Sequence, residues 1–425
     1  MKTPAEALAE ILSHVRELES ETVTLSRSLG QAVAEDIRSD YDLPMLALCG
    51  PDGYAVRSED IVGASRENPV VLEILGSNRA GYLPKQNLRP GGAVRVMTGS
   101  PVPQGADCVV AFENTDEPGD KSGPGLGEPS HVAVFQAERS GANIRPAGSN
   151  VSKGSVVVSR GTCIGPAQIS ALTAIGVTTL QVIRRPRVAI ISTGDELVRP
   201  GKPLQPGKVY DSNTPALAAL VAHCGATAVT YGIARDNERS LIEKLCKSLQ
   251  DGRGTDAIVT SGGVSKGDYD LVRLVLDKIG RVVFSRVSMG PGASFAFGLA
   301  DRDTPGGRES VPVFAVGGPP VGCLVNFETL VRPALLKMMG CANPAPLTVD
   351  AVATGSISGG KPLDFVSWSY LNEVAGQNRV DLRLSEERGM MAAMAGANSF
   401  TIVPKGGQIT EGDQVRVRPL DWTRW

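Results

Sequence analysis

From residue 187 to residue 339 the chain alternates short apolar runs with amphipathic stretches. Arg187–Ser192, Ala226–Ile233, Asp256–Thr260, Arg281–Arg286, Phe295–Gly298 and Val313–Val316 read as strands. Between and after them helices are predicted at Ser212–Cys224, Asn237–Leu249, Asp268–Ile279 and Pro320–Met339. Ser212 or Asn213 is the expected cap of the first, and Pro215 suits its first turn. Such alternation predicts a doubly wound, mostly parallel sheet with helices on both faces. Ligands of these sheets sit outside the carboxyl ends of the strands.

The flanking segments have a different texture. Residues 4–18 predict an amphipathic helix with Ala7, Leu8, Ile11, Leu12 and Val15 on one stripe, and 22–36 predict a turn and a second helix. From about 45 to 150, Gly and Pro recur among short β-like runs at Val70–Leu75, Ala93–Met97, Cys108–Ala111 and Val132–Phe135, which predicts a small β-rich domain. The stretch 116–131 reads as a polar loop. Residues 151–183 carry a short strand at Ser155–Val158 and a helix from 166 to about 175. Beyond 341 the runs Leu347–Ala353, Arg379–Leu384, Phe400–Val403 and Val415–Val417 predict a small β-barrel or sandwich.

Bulk properties remove several function classes. At 425 residues the chain is long enough for about three domains. A formal charge of −2 and 4% aromatic residues argue against nucleic-acid binding. The seven cysteines are dispersed without a CxxC pair and there are three histidines, so a zinc site is not expected and a reducing, cytoplasmic setting is. The N-terminus lacks the apolar stretch of a signal peptide, and no apolar run approaches the ~20 residues of a membrane span.

The strongest local chemistry is TSGGVSKGDYD at 260–270, directly after a predicted strand. Ser261, Gly262, Gly263 and Ser265 suit close approach of backbone N–H groups to a phosphate. Asp268 and Asp270 can hold Mg²⁺ against it, and Lys266 can grip the anion or remain solvated. A second acidic loop, Thr193-Gly194-Asp195-Glu196, follows the strand at 187–192, so both loops are expected in one pocket. Glu196 or Asp195 could orient a metal or a ligand amine there; the alternative is a turn or cap. Asp211 precedes a helix N-terminus, where a cap and a ligand contact can coexist. Arg95–Asp107, with Thr98 and Gly99, reads as a Pro-rigidified loop, and Asp52-Gly53-Tyr54 as a tight turn. His14, His131 and His223 stand in unrelated contexts, so no nucleophile–base set is present and acyl transfer is not expected.

In chain order, Asp52-Gly53-Tyr54-Ala55-Val56, RVMTGSPVPQGADCVV (95–110), GANIRPAGSN (141–150), ISTGDEL (191–197), VYDSN (209–213), SGGVSKGDYD (261–270) and FAFG (295–298) resemble the molybdopterin molybdotransferases, the molybdenum insertase family that includes the gephyrin E domain. The resemblance spans essentially the whole chain. It implies an α/β plus β multidomain fold: a discontinuous N-terminal domain (1–44 and 150–183), an inserted β-rich domain (45–149), an α/β molybdopterin-binding domain (184–340) and a C-terminal β-barrel (341–425). It implies an elongated homodimer, a small-molecule substrate, and allows a molybdopterin adenylyltransferase as partner. The implied reaction is Mg²⁺-dependent: adenylylated molybdopterin is hydrolysed with release of AMP, and molybdate enters the dithiolene. Asp52, Glu196 and Asp268 would be catalytic. Thr98, Gly99, Thr193, Gly194, Asp211, Ser261, Gly262, Gly263 and Ser265 would hold the cofactor-type substrate, and Glu196, Asp268 and Asp270 the metal.

The chain also departs from the family pattern. SAMDGYA becomes Leu48-Cys49-Gly50-Pro51-Asp52-Gly53-Tyr54-Ala55, and Asn150 replaces an acid. KPGKPFAFG becomes Gly290-Pro291-Gly292-Ala293-Ser294-Phe295-Ala296-Phe297-Gly298, so two lysines are absent. GLPGNPVS becomes Ala315-Val316-Gly317-Gly318-Pro319-Pro320-Val321-Gly322, without its Asn and Ser, and the segment around Asp364-Phe365 lacks the usual arginines. A charge-assisted hydrogen bond contributes roughly 1.5–3 kcal/mol, so these losses predict weak or absent molybdate binding. Two readings follow: a divergent molybdenum or tungsten insertase, or a non-catalytic paralogue that binds a molybdopterin-type ligand or a protein partner. A generic Mg²⁺-dependent nucleotide hydrolase of the same fold is the third.

Overall fold

The computed structural model describes residues 1–117, 130–252, 254–263, 271–359, 363–384 and 389–421. The chain forms two compact units, one of Met1–Glu35, Arg160–Pro166 and Thr179–Trp425, the other of Asp36–Ser159 and Ala167–Thr178.

The first unit is built on six strands: β1 (Arg187–Thr193), β2 (Thr227–Ala234), β3 (Ala257–Ser261), β4 (Gly280–Ser285), β5 (Phe295–Thr304) and β6 (Gly307–Val316). Their order across the sheet is β2-β1-β3-β6-β5-β4. β2, β1, β3 and β6 are mutually parallel, while β5 runs antiparallel to both β6 and β4. The two-residue side-chain period divides the apolar strands between two cores. Val188 and Ile190 join Ala7 and Ile11 of the helix Pro4–His14, Leu217 and Leu220 of the helix Asn213–His223, and Phe327 and Leu330 of the last long helix. Ala189 and Ile191 face the other way, onto Leu241 and Leu245 of Glu238–Leu249 and Val272 and Val275 of Leu271–Ile279. Each such Ile or Leu contributes about 1.5–3 kcal/mol by leaving water. The expected mostly parallel, doubly wound sheet is thus present.

Three local expectations change. Residues 22–36 form no helix: Ser20–Thr24 is a strand paired antiparallel with Thr179–Ile183, followed by a 3₁₀ turn at Leu25–Arg27. The β-branched run Thr22-Val23-Thr24 favours extended backbone, and Gly30, at φ 77°, ends any helical path. β5 and β6 extend well beyond their apolar halves, into a polar hairpin where Arg302–Glu309 and Arg308–Asp301 ion pairs (2.7 Å each) cross the strands. The predicted helix 320–339 is interrupted: Pro320–Asn326 and Arg332–Met338 flank a π turn, Phe327–Val331. Pro333 has no N–H to donate and its ring crowds the preceding turn, so the wider turn falls where the regular ladder fails.

That helix ends in a Schellman motif. Gly340, at φ 71°, donates to Lys337 O (3.0 Å), and Cys341 N donates to Leu336 O (3.1 Å). The wide turn also places Glu328, 1% exposed, against Arg332 (3.3 Å) and Arg418 (3.2 Å). Arg332 reaches on to Asp421, which His223 also contacts at 3.1 Å.

The C-terminal strands close on themselves. Asp364–Val374, Gln377–Asp381, Val349–Ala353, Gln414–Pro419 and Ser399–Val403 are neighbours in that order, and Ser399–Val403 pairs back onto Asp364–Val374. This five-stranded barrel is the expected C-terminal β fold. Trp368 meets Phe400 edge-on at 4.4 Å, and both join the core under the π turn. The short strand Met289–Gly290 pairs in parallel with Asp364–Phe365.

The second unit carries a five-stranded sheet in the order Cys108–Ala111, Gly53–Val56, Gly92–Val96, Val70–Asn78 and His131–Val134. Its core includes Tyr54, Leu72, Ala93, Val110 and Val132. The tight turn expected at Asp52-Gly53-Tyr54 is confined to Asp52, because Gly53 already begins a buried strand. A Cβ on Gly53 would lie 2.0 Å from Val110 O, so only glycine allows the strands to approach. Most of the loop predicted at 116–131 lies outside the described residues.

Candidate functional site

The carboxyl ends of β1, β3 and β6 open onto a cavity of about 450 Å³ lined by Thr193, Glu196, Asp211, Asn213, Ser261, Gly262 and Gly318–Pro320. The turn Gly194–Glu196 leaves β1 and enters the short strand Leu197–Val198, which pairs in parallel with Val209–Tyr210. Val209 N donates to Glu196 O (2.9 Å) and Asp211 N to Val198 O (2.9 Å), so this small ladder delivers Asp211 to the start of the helix Asn213–His223.

Asp211 is 5% exposed, and both of its oxygens are engaged. Oδ1 accepts from Ser192 Oγ (3.0 Å) and Thr214 N (3.1 Å), and Oδ2 from Thr214 Oγ1 (2.6 Å). The helix is therefore capped by Asp211. The expected cap, Ser212, makes no capping bond; its backbone is already helical (φ −88°, ψ −20°) rather than in the extended conformation a cap residue normally adopts. Asn213, the other expected cap, ties the end of β3 to the loop after β6: its Nδ2 donates to Ser261 Oγ (2.6 Å) and to Gly318 O (2.7 Å). Among the described residues, Asn213 Oδ1 and Thr193 Oγ1 are buried without a partner. A buried polar atom left unsatisfied costs roughly 1–3 kcal/mol, and both residues line the cavity, so they are groups on which a ligand can act.

The glycines after β3 are fixed by close contact. Gly262 (φ 89°) donates to Val316 O at 3.1 Å, and a Cβ on it would lie 2.3 Å from Thr193 O. Gly263 follows at φ 72°. The Glu196 carboxylate folds back over the turn, 2.5 Å from where a Cβ on Gly194 would stand. Among the described residues it has no hydrogen-bond or ion-pair partner, which leaves it available to a cation. Asp195 points elsewhere: its N–H is held by Asp236 (3.0 Å) and its carboxylate lies 3.6 Å from Arg235. No group of three His, Cys, Asp or Glu side chains suited to a metal occurs among the described residues.

The structure thus gathers Thr193, Gly194, Glu196, Asp211, Ser261, Gly262 and Gly263 at one set of strand ends. Ser265, Lys266, Asp268 and Asp270 lie outside the described residues. Asp52, Thr98 and Gly99 belong to the second unit. There Asp52 Oδ1 accepts from Thr98 N (2.6 Å) and Thr98 Oγ1 (2.8 Å). The backbone bond first, then the hydroxyl, hold its carboxyl below the ordinary 3.8. Gly99, at φ 77°, turns the chain so that its N–H meets Cys49 O (2.9 Å). Beside this cluster Arg95 pairs with Glu117 at 2.8 Å and stacks over Phe112 (4.8 Å). Sequence reasoning did not single out Asn213 as a site residue, and it read the Gly318–Pro320 loop only through the family residues it lacks. The signal for Asn213 is its position in VYDSN, where a buried amide at the first residue of a helix has no packing reason to be there.

Comparisons with known proteins agree with this architecture. Residues 2–176 match the family description "MoeA N-terminal region (domain I and II)" and residues 189–337 match "Probable molybdopterin binding domain". The molybdopterin molybdenumtransferase of Bacillus subtilis is 31% identical over 403 residues, covering 94% of this chain and 90% of that one. Molybdopterin molybdenumtransferase 2 of Mycobacterium tuberculosis is 36% identical over 346 residues, covering 79% of this chain and 80% of that one. Among solved structures, the molybdopterin biosynthesis MoeA protein of Pyrococcus horikoshii superposes with a TM-score of 0.81 at 26% identity, covering 99% of this chain and 100% of that one.

Proposed function

The chain belongs to the molybdopterin molybdenumtransferase family, a family of transferases in molybdenum cofactor biosynthesis, and on that premise we propose that it binds adenylylated molybdopterin at the carboxyl ends of β1, β3 and β6 and transfers molybdate into the dithiolene with release of AMP. The observation that carries the reading is that Thr193 and Asn213 line this cavity beside Gly262, while Thr193 Oγ1 and Asn213 Oδ1 are buried with no hydrogen-bond partner among the described residues. A pterin edge has N–H donors and ring acceptors that can complete both, and the glycine N–H groups suit an adjacent phosphate.

Glu196 is the described carboxylate free to hold Mg²⁺, and the sequence pattern assigns Asp268 and Asp270 as its companions; hard oxygen donors of this kind fit that ion. Bound there, Mg²⁺ would neutralise charge on the phosphate during AMP release. Asp211 acts through position: with both oxygens engaged it holds the helix N-terminus and Asn213 in place. Asp52 and Thr98 form a separate polar cluster within the second unit, and a catalytic or binding role for them is proposed on the family pattern alone.

Gly290 and Ala293 stand where the family pattern has lysines, and Met289–Gly290 is committed to pairing with the barrel. This favours weak molybdate affinity and keeps a second reading in play, a ligand-binding paralogue without turnover. Titration with adenylylated molybdopterin and Mg²⁺, with and without molybdate, separates them. Molybdate-dependent AMP release with formation of active cofactor supports the transferase. Release without insertion marks a residual hydrolase, and binding without release marks the paralogue. The homodimer is proposed on the same family grounds and is read by light scattering as twice the chain mass.

A further inference from the structure

Two cysteines 178 residues apart in sequence meet in the first unit, with Cys163 Sγ and Cys341 Sγ 3.0 Å apart. Both are held by backbone. Cys163 lies in an extended segment bridged to Ala32, where Val33 N donates to Thr162 O (3.0 Å) and Ile164 N to Gln31 O (2.9 Å). Cys341 occupies the position after the αL glycine in the Schellman motif that ends the last long helix. A direct bond, Ala342 N to Gly161 O at 3.1 Å, joins the two segments beside the thiols. The sulfurs therefore face each other because two fixed backbones place them there.

The chemistry of the pair differs from that of the buried thiols. Cys163 is exposed and Cys341 half-buried, whereas Cys49, Cys108, Cys224 and Cys323 are buried. Burial pushes Cys108, Cys224 and Cys323 up to about 12, which keeps them protonated and inert. The hydrogen bond from Cys341 brings Cys163 down to about 7, and the same contact pushes Cys341 up. An exposed thiolate with a resolving thiol in contact is the arrangement that thiol–disulfide exchange requires.

We propose that Cys163 and Cys341 are a redox modification site that closes to an intramolecular disulfide by exchange with a low-molecular-weight disulfide such as oxidised glutathione. The Cys163 thiolate attacks one sulfur of the small disulfide, forming a mixed disulfide and releasing one thiolate. Cys341 gives its proton to that thiolate, and its sulfur then attacks Cys163 Sγ and expels the second. Two protein thiols and one small disulfide become one protein disulfide and two small thiols, with two electrons passing to the small disulfide. The bond fastens the end of the helix Arg332–Met338 to the segment Arg160–Pro166. Neither residue lines the molybdopterin pocket, so the site stands whether or not the proposed reaction does.

The test is peptide mapping of the full-length protein equilibrated in graded mixtures of reduced and oxidised glutathione, acid-quenched and alkylated. The expected result is one cross-linked peptide pair joining Cys163 to Cys341, lost on return to excess reduced glutathione. Because the resolving thiol is already in contact, the cross-link should exceed the Cys163–glutathione adduct by roughly tenfold or more. Cys341→Ser should halt the reaction at the glutathione adduct on Cys163, and Cys163→Ser should leave Cys341 alkylatable. Glutathione accumulating on Cys163 in the unmodified sequence without a cross-link overturns the proposal, as does alkylation of both thiols to the same extent across the whole range. The map of the unmodified sequence decides the matter even if a variant fails to fold.

Discussion

Substitution of Asp211 distinguishes a carboxylate that positions the site from one that touches the ligand. Asp211 accepts three hydrogen bonds at 2.6–3.1 Å and caps the helix that carries Asn213. Loss of a cap costs about 0.5–2 kcal/mol. Ser192 Oγ and Thr214 Oγ1 already lie 2.6 Å from one another, so neither hydroxyl is orphaned when the carboxylate goes. Asp211→Ala should therefore destabilise the first unit by about 2 kcal/mol, near the top of the cap range. Spread over a unit of this size, that is a fall of roughly 3–4 °C in its melting transition. Asp211→Asn keeps an oxygen for Ser192 and Thr214 N, and should cost about 1 kcal/mol or less. If the carboxylate works through position, Asp211→Asn leaves the affinity for adenylylated molybdopterin within about threefold, since ~1.4 kcal/mol would be needed for a tenfold change. Calorimetry on both variants with a ligand titration reads both quantities. A tenfold or greater loss of affinity in Asp211→Asn at unchanged melting temperature refutes the positioning argument, as does an unaltered melting temperature in Asp211→Ala.

Other expectations follow from the same geometry. Gly262→Ala should abolish measurable substrate binding, because its Cβ would stand 2.3 Å from a backbone oxygen at positive φ, whereas Gly201→Ala, also at positive φ but with nothing within 4 Å, should cost about 1 kcal/mol and leave binding intact. Glu328→Ala should destabilise by about 3–5 kcal/mol in urea titration, because it leaves Arg418 in the interior without its carboxylate while Arg332 keeps only Asp421, and Glu328→Gln should recover part of that loss. The Asp52 carboxyl should titrate below 3.8 by NMR, and Thr98→Ala should move it up only part of the way, since the backbone donor remains. A depressed folded value means that Asp52 contributes its full stabilisation above the ordinary carboxylate range and loses it as pH falls through the lower folded value. Acid unfolding of the second unit should begin at a higher pH in Thr98→Ala.

The central sheet was legible because its strands are apolar along their whole buried length: Val188 to Ile191 can satisfy two cores at once only inside a helix-covered parallel sheet. Legibility failed where the stabilising partner is distant or polar. Nothing local in 20–24 announces that Thr179–Ile183 will supply its hydrogen bonds. The outer half of the β5–β6 hairpin is held by Arg302–Glu309 and Arg308–Asp301, which read as loop composition in one dimension. The pocket loops were found because glycines and acids after strands are a short-range signal. Which acid caps the helix and which stays without a partner among the described residues was not readable, since that depends on the Ser192 and Thr214 hydroxyls converging on Asp211 rather than on Glu196. The Cys163–Cys341 contact had no sequence signal at all.

The helix Pro4–His14 has a consequence for how the molecule is made. Its inner face packs against Phe327, Leu330 and Val331, its Leu12 carbonyl accepts from Lys337 across 325 residues of chain, and Leu18 N donates to Met338 O. At about 5–20 residues per second of synthesis, the first helix emerges from the ribosome roughly 15–65 seconds before the residues that cover it. In that interval Ala7, Ile11 and Val15 form an apolar stripe with no partner, beside a chain that is completing the second unit. This helix is thus translated long before the segments that cover it, and newly made protein should depend on a holding chaperone most strongly through residues 4–15.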